Sequence, residues 1–512
     1  MNRKGLLILG MIVWVSTLTH ACYRDLKKEY DSYSPPAYFK DQFRPVPERA
    51  KPSVDEDFAA EKKRIEEAKY RWAKSLTDLG DKDVFLRPDP QLLTSLQQAA
   101  TIAGEAANAL KGTYSLKVLE SLALLRNPGV KAAENRFRSA IEAFSQVSTL
   151  DEILRQYTAF TEALMTGVGP MKGKDPIKMK FPFPGVLSLK GQIVDQEVSA
   201  QRENLEIARR DVVTAIRKTY WNLVFVLKAR QITSETVELL THLEAVASTR
   251  YEAGRTSYQD VIKVRIKRET LAEDLVTLKE KQRNLESKIR EILNLSPRVE
   301  LGSPKIARPP AKIPALADLY EIAQQRRQEL LRLRAKVGKM ERMIELAETM
   351  VLPPYTLNLS LYEDEAVTMV GSAAKKDSFP VSTRASRGAG LPKMPWYGTQ
   401  DAYLRQTRQK LNALREELKK AQVTTHTMVR NAWFELDLAR REISLYRDKV
   451  VRLSQSALDV STRGYESGTV SFADVIGSYT IWLKASLTLD RKRSDYGIAW
   501  AELEQVVGAS LR

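Results

Sequence analysis

One cysteine, Cys22, and three histidines, His20, His242 and His426, are all that 512 residues offer of the usual thiolate and imidazole metal ligands. Zinc and its neighbours need several such groups at short spacing, so the scatter excludes a Cys/His metal cluster. Neither a Walker A loop nor a dinucleotide glycine fingerprint is present, which removes the common nucleotide-dependent enzymes. No catalytic or cofactor constellation stands out, and the chain reads as a non-enzyme without cofactors. Long apolar runs are also missing. Beyond the first two dozen residues nothing reaches the roughly 20 apolar residues that a helix needs to cross a bilayer. At 43% hydrophobic and 28% charged, the chain has the bulk for two or more domains and is too polar for a helical membrane protein. The formal charge of +17 would suit a polyanion partner. Its bases, however, alternate with acids, as from Lys279-Glu280-Lys281 to Glu286-Ser287-Lys288. That is the pattern of a wet helix face, and no nucleic-acid partner is expected.

What is there begins with an export signal over residues 1–21. Asn2-Arg3-Lys4 forms the positive region and Gly5 to Leu18 a short apolar one. Cys22 follows directly, where a lipoprotein signal is cut and its cysteine acylated, although Thr19 stands where an aliphatic residue is usual. A lone thiol elsewhere in an exported chain would be unpaired, so the position favours lipid. Residues 22–112 then read as an N-terminal extension. Pro35, Pro36, Pro45, Pro47 and Pro52 keep its first part extended, like a strap. Helical spacing predicts one charged helix from Val54 to about Leu76 and one alanine-rich helix from about Gln91 to Leu110.

The rest is organised around a motif that occurs twice, Tyr251-Glu252-Ala253-Gly254-Arg255-Thr256-Ser257-Tyr258-Gln259-Asp260-Val261-Ile262 and Tyr465 to Ile476. Each copy has Gly where an arriving helix needs a left-handed residue, Ser three positions later, and Asp three beyond that, the order of a capping box. Gly254 and Gly468 therefore mark the turns of two αα-hairpins, and the recurrence marks an internal duplication. The first repeat covers 113–298 and opens at Ser115 with Leu116, Leu119, Leu122 and Ala123 before Asn127-Pro128. A linker spans 299–313. The second repeat covers 314–508 and opens with Leu316, Leu319, Ile322 and Ala323. Leu316 follows Leu116 by 200 residues, whereas Gly468 follows Gly254 by 214, so about fourteen residues are inserted in the second repeat. Arriving helices are expected over about 192–253 and 402–467, the first on the order of 90 Å long. Departing helices run to about Leu293 and Val507. Leu271, Leu275, Leu278, Leu285, Ile289 and Ile292 trace a coiled-coil seam in the first. Val475, Tyr479, Trp482, Leu489, Tyr496, Trp500, Leu503 and Val507 trace one in the second.

Between the short helices and the long hairpin of the second repeat, Thr356 to Tyr362 alternates polar and apolar, the period of a strand. Ser378 to Gly390 has the composition to return beside it. The equivalent stretch of the first repeat, about 166–190, carries Lys172, Lys174, Lys178, Lys180, Pro182 and Pro184 and makes a poorer strand pair.

The two tips, with Leu122-Ala123, Asn127-Pro128 and the closing Leu503-Glu504-Gln505-Val506-Val507-Gly508, resemble those of the TolC-like outer membrane efflux proteins over about 115–508. The resemblance implies a mainly α fold whose long antiparallel coiled-coil hairpins form a trimeric α-barrel. It also implies a small membrane β-barrel of twelve strands, about four per protomer. As a lipoprotein member, the chain would be a homotrimeric passive conduit in the outer membrane, held to its lipid, serving tripartite efflux or type I secretion. It would dock to a periplasmic adaptor and an inner-membrane transporter through Gly254, Arg255, Ser257, Asp260, Gly468, Thr469 and Ser471. Asp474 would belong to an acidic ring at the tunnel mouth, with Val470 and Gly477 departing from the residues that family members can carry there. Phe181-Pro182-Phe183-Pro184-Gly185 is similar to a stretch in some metal-efflux members. A periplasmic coiled-coil adaptor or scaffold without a channel is the alternative, and the duplicated hairpin argues against it.

Overall fold

The computed structural model describes residues 54–77, 84–148, 184–254, 256–307, 310, 312–351, 357–361, 381–385 and 399–511. The expected signal, Cys22 and the Phe181–Phe183 stretch lie outside them, as does Arg255. Element by element, α1 is Val54–Thr77, α2 Pro90–Ser95 and α3 Ala103–Leu110, with a 3₁₀ turn at Gln98–Ala100. Strand β1 is Thr113–Tyr114, followed by α4, Leu116–Arg126, and α5, Pro128–Ser148. The first long hairpin is α6, Pro184–Glu252, and α7, Tyr258–Ile292. Strand β2, Ser303–Pro304, leads to α8, Leu316–Arg326, and α9, Gln328–Val351. Strands β3, Leu357–Leu361, and β4, Val381–Ala385, precede the second hairpin. Its arriving arm is α10, Thr399–Leu445, a π turn at Tyr446–Val450, and α11, Val451–Ser467. Its departing arm is α12, Phe472–Val507.

The chain falls into two compact units, 1–62 with 167–187 and 344–409, and 63–166 with 188–343 and 410–512. In the first, β3 and β4 pair antiparallel, Leu357 opposite Ala385 and Leu361 opposite Val381. This is the strand pair that the alternation over 356–362 and the composition of 378–390 predict. Five residues of each strand lie among the described residues. For the first repeat, 166–183 lies outside the described residues, while 184–190 is already helical. Pro184 starts α6, because its missing N–H and fixed φ suit a first helical position better than a ladder.

The second unit carries the repeats. Ser115 caps α4 by accepting from the Val118 N–H, and Asn127 ends it because Pro128 follows. The Asn127 side chain then accepts from the N–H groups of Gly129 and Val130 and starts α5. Arg327 occupies the matching joint between α8 and α9 and donates to the Val506 carbonyl at 2.6 Å. Leu119, Leu122 and Ala123 are fully buried with Leu110, Ile216, Tyr220 and Ile289, and Leu319 and Ala323 fill the equivalent place with Val429, Leu436 and Leu503. Both openings thus anchor a long hairpin to its own core.

Two expectations need correction, and the linker makes a contact that spacing does not announce. The alanine-rich helix of 91–110 is broken at Thr101-Ile102, where Ile102 turns extended at φ −92° and ψ 118°. The break lets Leu96 and Ala99 before it, and Ala106 and Leu110 after it, face one core. The linker is tied down, since β2 pairs in parallel with β1, Thr113 opposite Ser303. Finally, the second arriving helix is interrupted by the π turn, which no hydrophobic period announces. The seams run as expected, though Leu275, Leu278, Leu285 and Trp482 are only half-buried.

Candidate functional site

Of the expected site residues, Gly254, Ser257, Asp260, Gly468, Thr469, Ser471 and Asp474 are described, and they lie where α6–α7 and α11–α12 turn. Gly254 has φ +71° and Gly468 φ +81°, the left-handed conformation that their place after an arriving helix requires. At the second tip the Gly468 N–H donates to the Tyr465 carbonyl at 3.1 Å and the Thr469 N–H to the Gly464 carbonyl at 2.8 Å, a Schellman closure. The Gly464 carbonyl also accepts from the Val470 N–H and from the Thr469 and Ser467 hydroxyls, each at 3.0 to 3.1 Å. A β-carbon at Gly464 would lie 2.4 Å from Val470 Cγ2, so the crowded turn excludes any larger residue there.

The capping boxes differ from expectation. Ser257 Oγ accepts from the Gln259 N–H, not that of Asp260, and Asp260 Oδ2 instead accepts from the Thr256 hydroxyl at 2.7 Å. Ser471 Oγ does accept from the Asp474 N–H at 3.3 Å, but the Asp474 carboxylate takes the Ser471 hydroxyl at 2.7 Å in place of the backbone N–H. Aspartate is one methylene shorter than the glutamate of a full box and does not make the return bond here. Both carboxylates still sit in the first helical turn, where the dipole favours them, and Asp474 is exposed.

What the motif does not reveal is how the tips join. Position for position, Arg250 stands where the second repeat has Gly464. Its guanidinium crosses to the other hairpin, donating to the Tyr465 carbonyl at 3.2 Å and lying 4.2 Å above the Tyr465 ring. Beneath this clamp Leu240, Ala247, Val261 and Val264 of the first hairpin are buried against Tyr465, Phe472, Val475 and Tyr479 of the second. Each repeat also stacks two aromatics across its turn, Tyr251 on Tyr258 at 5.2 Å and Tyr465 on Phe472 at 5.0 Å. The second pair is buried, whereas Tyr251 and Tyr258 are 46% and 53% exposed. One duplicated motif thus yields a packed tip and a tip with an aromatic knob facing solvent.

Far from the tips in sequence, a buried ion triad was missed altogether. Arg217 of α6 donates to Glu120 of α4 at 2.5 Å and to Glu504 of α12, and the Phe85 ring lies 6.0 Å away. Glu504 also accepts from the Leu511 N–H at 2.8 Å and from Ser510 Oγ. The signal was a charge in register with an apolar stripe. Nearby, Arg210 bridges to Glu329 at 2.7 and 2.9 Å. Burial by itself would raise the Glu329 carboxyl, but the hydrogen bonds and charge of Arg210 hold it below its ordinary range. Among the described residues no three His, Cys, Asp or Glu side chains gather to hold a metal, and no helix is long and apolar enough to cross a membrane.

The comparisons with known proteins bear on this duplicated hairpin. Residues 319–509 match the family model of the outer membrane efflux proteins. These residues belong to that family. Outer membrane protein TolC of Salmonella enteritidis is 25% identical over 265 residues, 51% of this chain and 53% of that protein. The chain therefore spans about half the length of the curated relative that it matches. In fold it is similar to the outer membrane protein VceC from Vibrio cholerae, with a TM-score of 0.59 and 13% identity over 78% of this chain and 97% of that one. The Campylobacter jejuni CmeC outer membrane channel gives a TM-score of 0.56 and 14% identity over 77% and 86%. The likeness in fold thus covers more of the chain than the residues that the family model matches.

Proposed function

We propose that this chain is the outer membrane channel of a tripartite efflux or type I secretion system. Three copies would close the paired hairpins into one α-helical tunnel and pool their strand pairs into a single membrane β-barrel. A periplasmic adaptor and an inner-membrane pump would engage the tips, and acylated Cys22 would anchor the chain to outer-membrane lipid. The observation that carries this reading is the side-by-side pair of tips, built from both repeats of an efflux-type fold.

A row of unpartnered apolar side chains supports assembly. Val423, Phe434, Leu445, Leu453 and Val460 are between 44% and 70% exposed along α10 and α11. Steps of eleven residues are about three α turns and keep the first three on one face. From Leu445 to Leu453 the step is eight, which one wide π turn plus one α turn accommodates, so the π turn keeps Leu453 in line. Such a row on a solvated helix is a seam awaiting another chain. In three copies about one axis, the exposed Asp474 carboxylates would converge. At about 6 Å each pair repels by roughly 0.7 kcal/mol in water, so the ring would favour cations.

Conductance of the purified protein in a planar bilayer tests the reading. Discrete cation-preferring channels are the expected result, and an adaptor or scaffold would give none. Acyl labelling in cells tests the anchor, since Cys22→Ser should abolish it and unchanged labelling would refute it.

A further inference from the structure

Away from the tips, α6, α10, α12 and residues Ile306, Ala307 and Pro310 line an open cavity of about 420 Å³. That volume lies within the roughly 300–1,000 Å³ usual for small-molecule sites. Trp221, Phe225, Ile306 and Ile443 give it apolar walls. Those walls are held in place. The Tyr220 hydroxyl donates to the Lys305 carbonyl and accepts from the Ala307 N–H at 2.9 Å, while the Tyr496 hydroxyl donates to the Pro310 carbonyl at 2.7 Å. The π turn contributes Arg447 to the lining, and π turns are frequent at functional sites.

Four cations border the cavity, and three have an acid of their own. Arg440 bonds to Asp437, Arg447 to Asp448 and Arg493 to Asp490, each at 2.8 Å. Lys228 is different. Its side chain is half-buried on α6, and its ammonium makes an exposed bond to Gln231 Oε1 at 3.1 Å and has no carboxylate partner among the described residues. An ammonium with donors to spare beside indole and phenyl walls has the chemistry of an anion anchor.

We propose that this cavity binds an organic anion, its apolar body against Trp221 and Phe225 and its carboxylate, sulfonate or phosphate on Lys228. The proposal does not depend on the channel reading, since every wall belongs to one chain. A soluble aromatic anion and an anionic lipid share this chemistry. Calorimetric titration of the full-length protein in lipid nanodiscs with naphthalene-2-sulfonate, and separately with monomeric dihexanoyl-phosphatidylglycerol, separates them. Saturable binding of one anion per chain is expected, weakened about tenfold by Lys228→Gln and retained by Lys228→Arg. Ser444→Trp, which puts an indole in place of a small lining side chain, should abolish it. Neutral naphthalene-2-methanol should bind Lys228→Gln and the unaltered chain alike. Tighter binding of the sulfonate assigns the site to soluble anions, and tighter binding of the lipid assigns it to a headgroup. Absence of binding by either, as when a second copy closes the cavity, or equal anion affinity in Lys228→Gln, would overturn the proposal.

Discussion

Replacing Arg250 by alanine should loosen the second tip without unfolding the chain. Two interactions are lost. The guanidinium bond to the Tyr465 carbonyl, 3.2 Å and half-buried, is worth about 1 kcal/mol net. The cation over the Tyr465 ring at 4.2 Å contributes a further ~0.5–1 kcal/mol. Both act on the residue whose carbonyl also receives the Gly468 N–H, so their loss falls on the closure of the turn. A total of about 1.5–2 kcal/mol corresponds to roughly ten- to thirtyfold more frequent local opening. Amide hydrogen exchange is the assay. The amides of Gly468 and Thr469 should exchange faster by that factor, while Gly254 and the buried amides of α12 near Leu503 keep their rates. Arg250→Lys should recover part of the effect, because the charge stays while the planar fork is lost. In a double-mutant cycle with Tyr465→Leu the ring contribution should appear as non-additivity. Unchanged exchange at Gly468 and Thr469 would show that the clamp holds nothing, and equal acceleration at both tips would show that Arg250 acts on the whole bundle.

Arg217→Met leaves Glu120 and Glu504 buried without their cation and should destabilise by about 3–5 kcal/mol, read as a lowered melting temperature, with Glu120→Gln and Glu504→Gln in the same chain recovering most of it. Gly468→Ala meets open space, so only its positive φ is costly, about 1 kcal/mol, whereas Gly464→Ala collides with Val470 and should melt lower still. Asp474→Asn should reduce cation preference in bilayer recordings, while Asp260→Asn, which keeps an acceptor for Thr256 but removes the charge in the first helical turn, should leave preference unchanged and lower stability by about 0.5 kcal/mol. The Glu329 carboxyl titrates below its ordinary value of 4.5 when folded. The stability that it contributes is therefore complete above that value and is lost as pH falls through the folded one. Glu329→Gln should accordingly flatten the acid limb of a melting-temperature profile, and an unaltered limb would assign the acid sensitivity elsewhere.

Much of the candidate site was legible because its determinants are local. A left-handed residue after a helix asks for glycine, and a helix start asks for a short hydroxyl side chain, whatever surrounds them. Gly254, Gly468, Ser115 and Ser471 all do what those rules require. The Asp260 partner was misread because Thr256 and Ser257 both carry a hydroxyl within reach, and spacing cannot say which one turns toward the carboxylate. The alanine-rich segment was misread because propensity favours one helix through 91–110, while packing of Ala99 and Ala106 on a common core favours two.

The amino-acid sequence by itself determined the duplication, the four long helical arms, the glycine turns and the strand at Leu357–Leu361. Each follows from periodicity or backbone chemistry over a dozen residues. Only the tertiary structure decided that Tyr465 and Phe472 are buried while Tyr251 and Tyr258 face solvent, since both pairs have the same local pattern. It also decided that Arg250 reaches a carbonyl 215 residues away, and that residues 120, 217 and 504 share one buried charge cluster. A hydrophobic period shows which face of a helix must be covered but not which helix covers it. Charges and aromatics find their partners only when that second helix is in place.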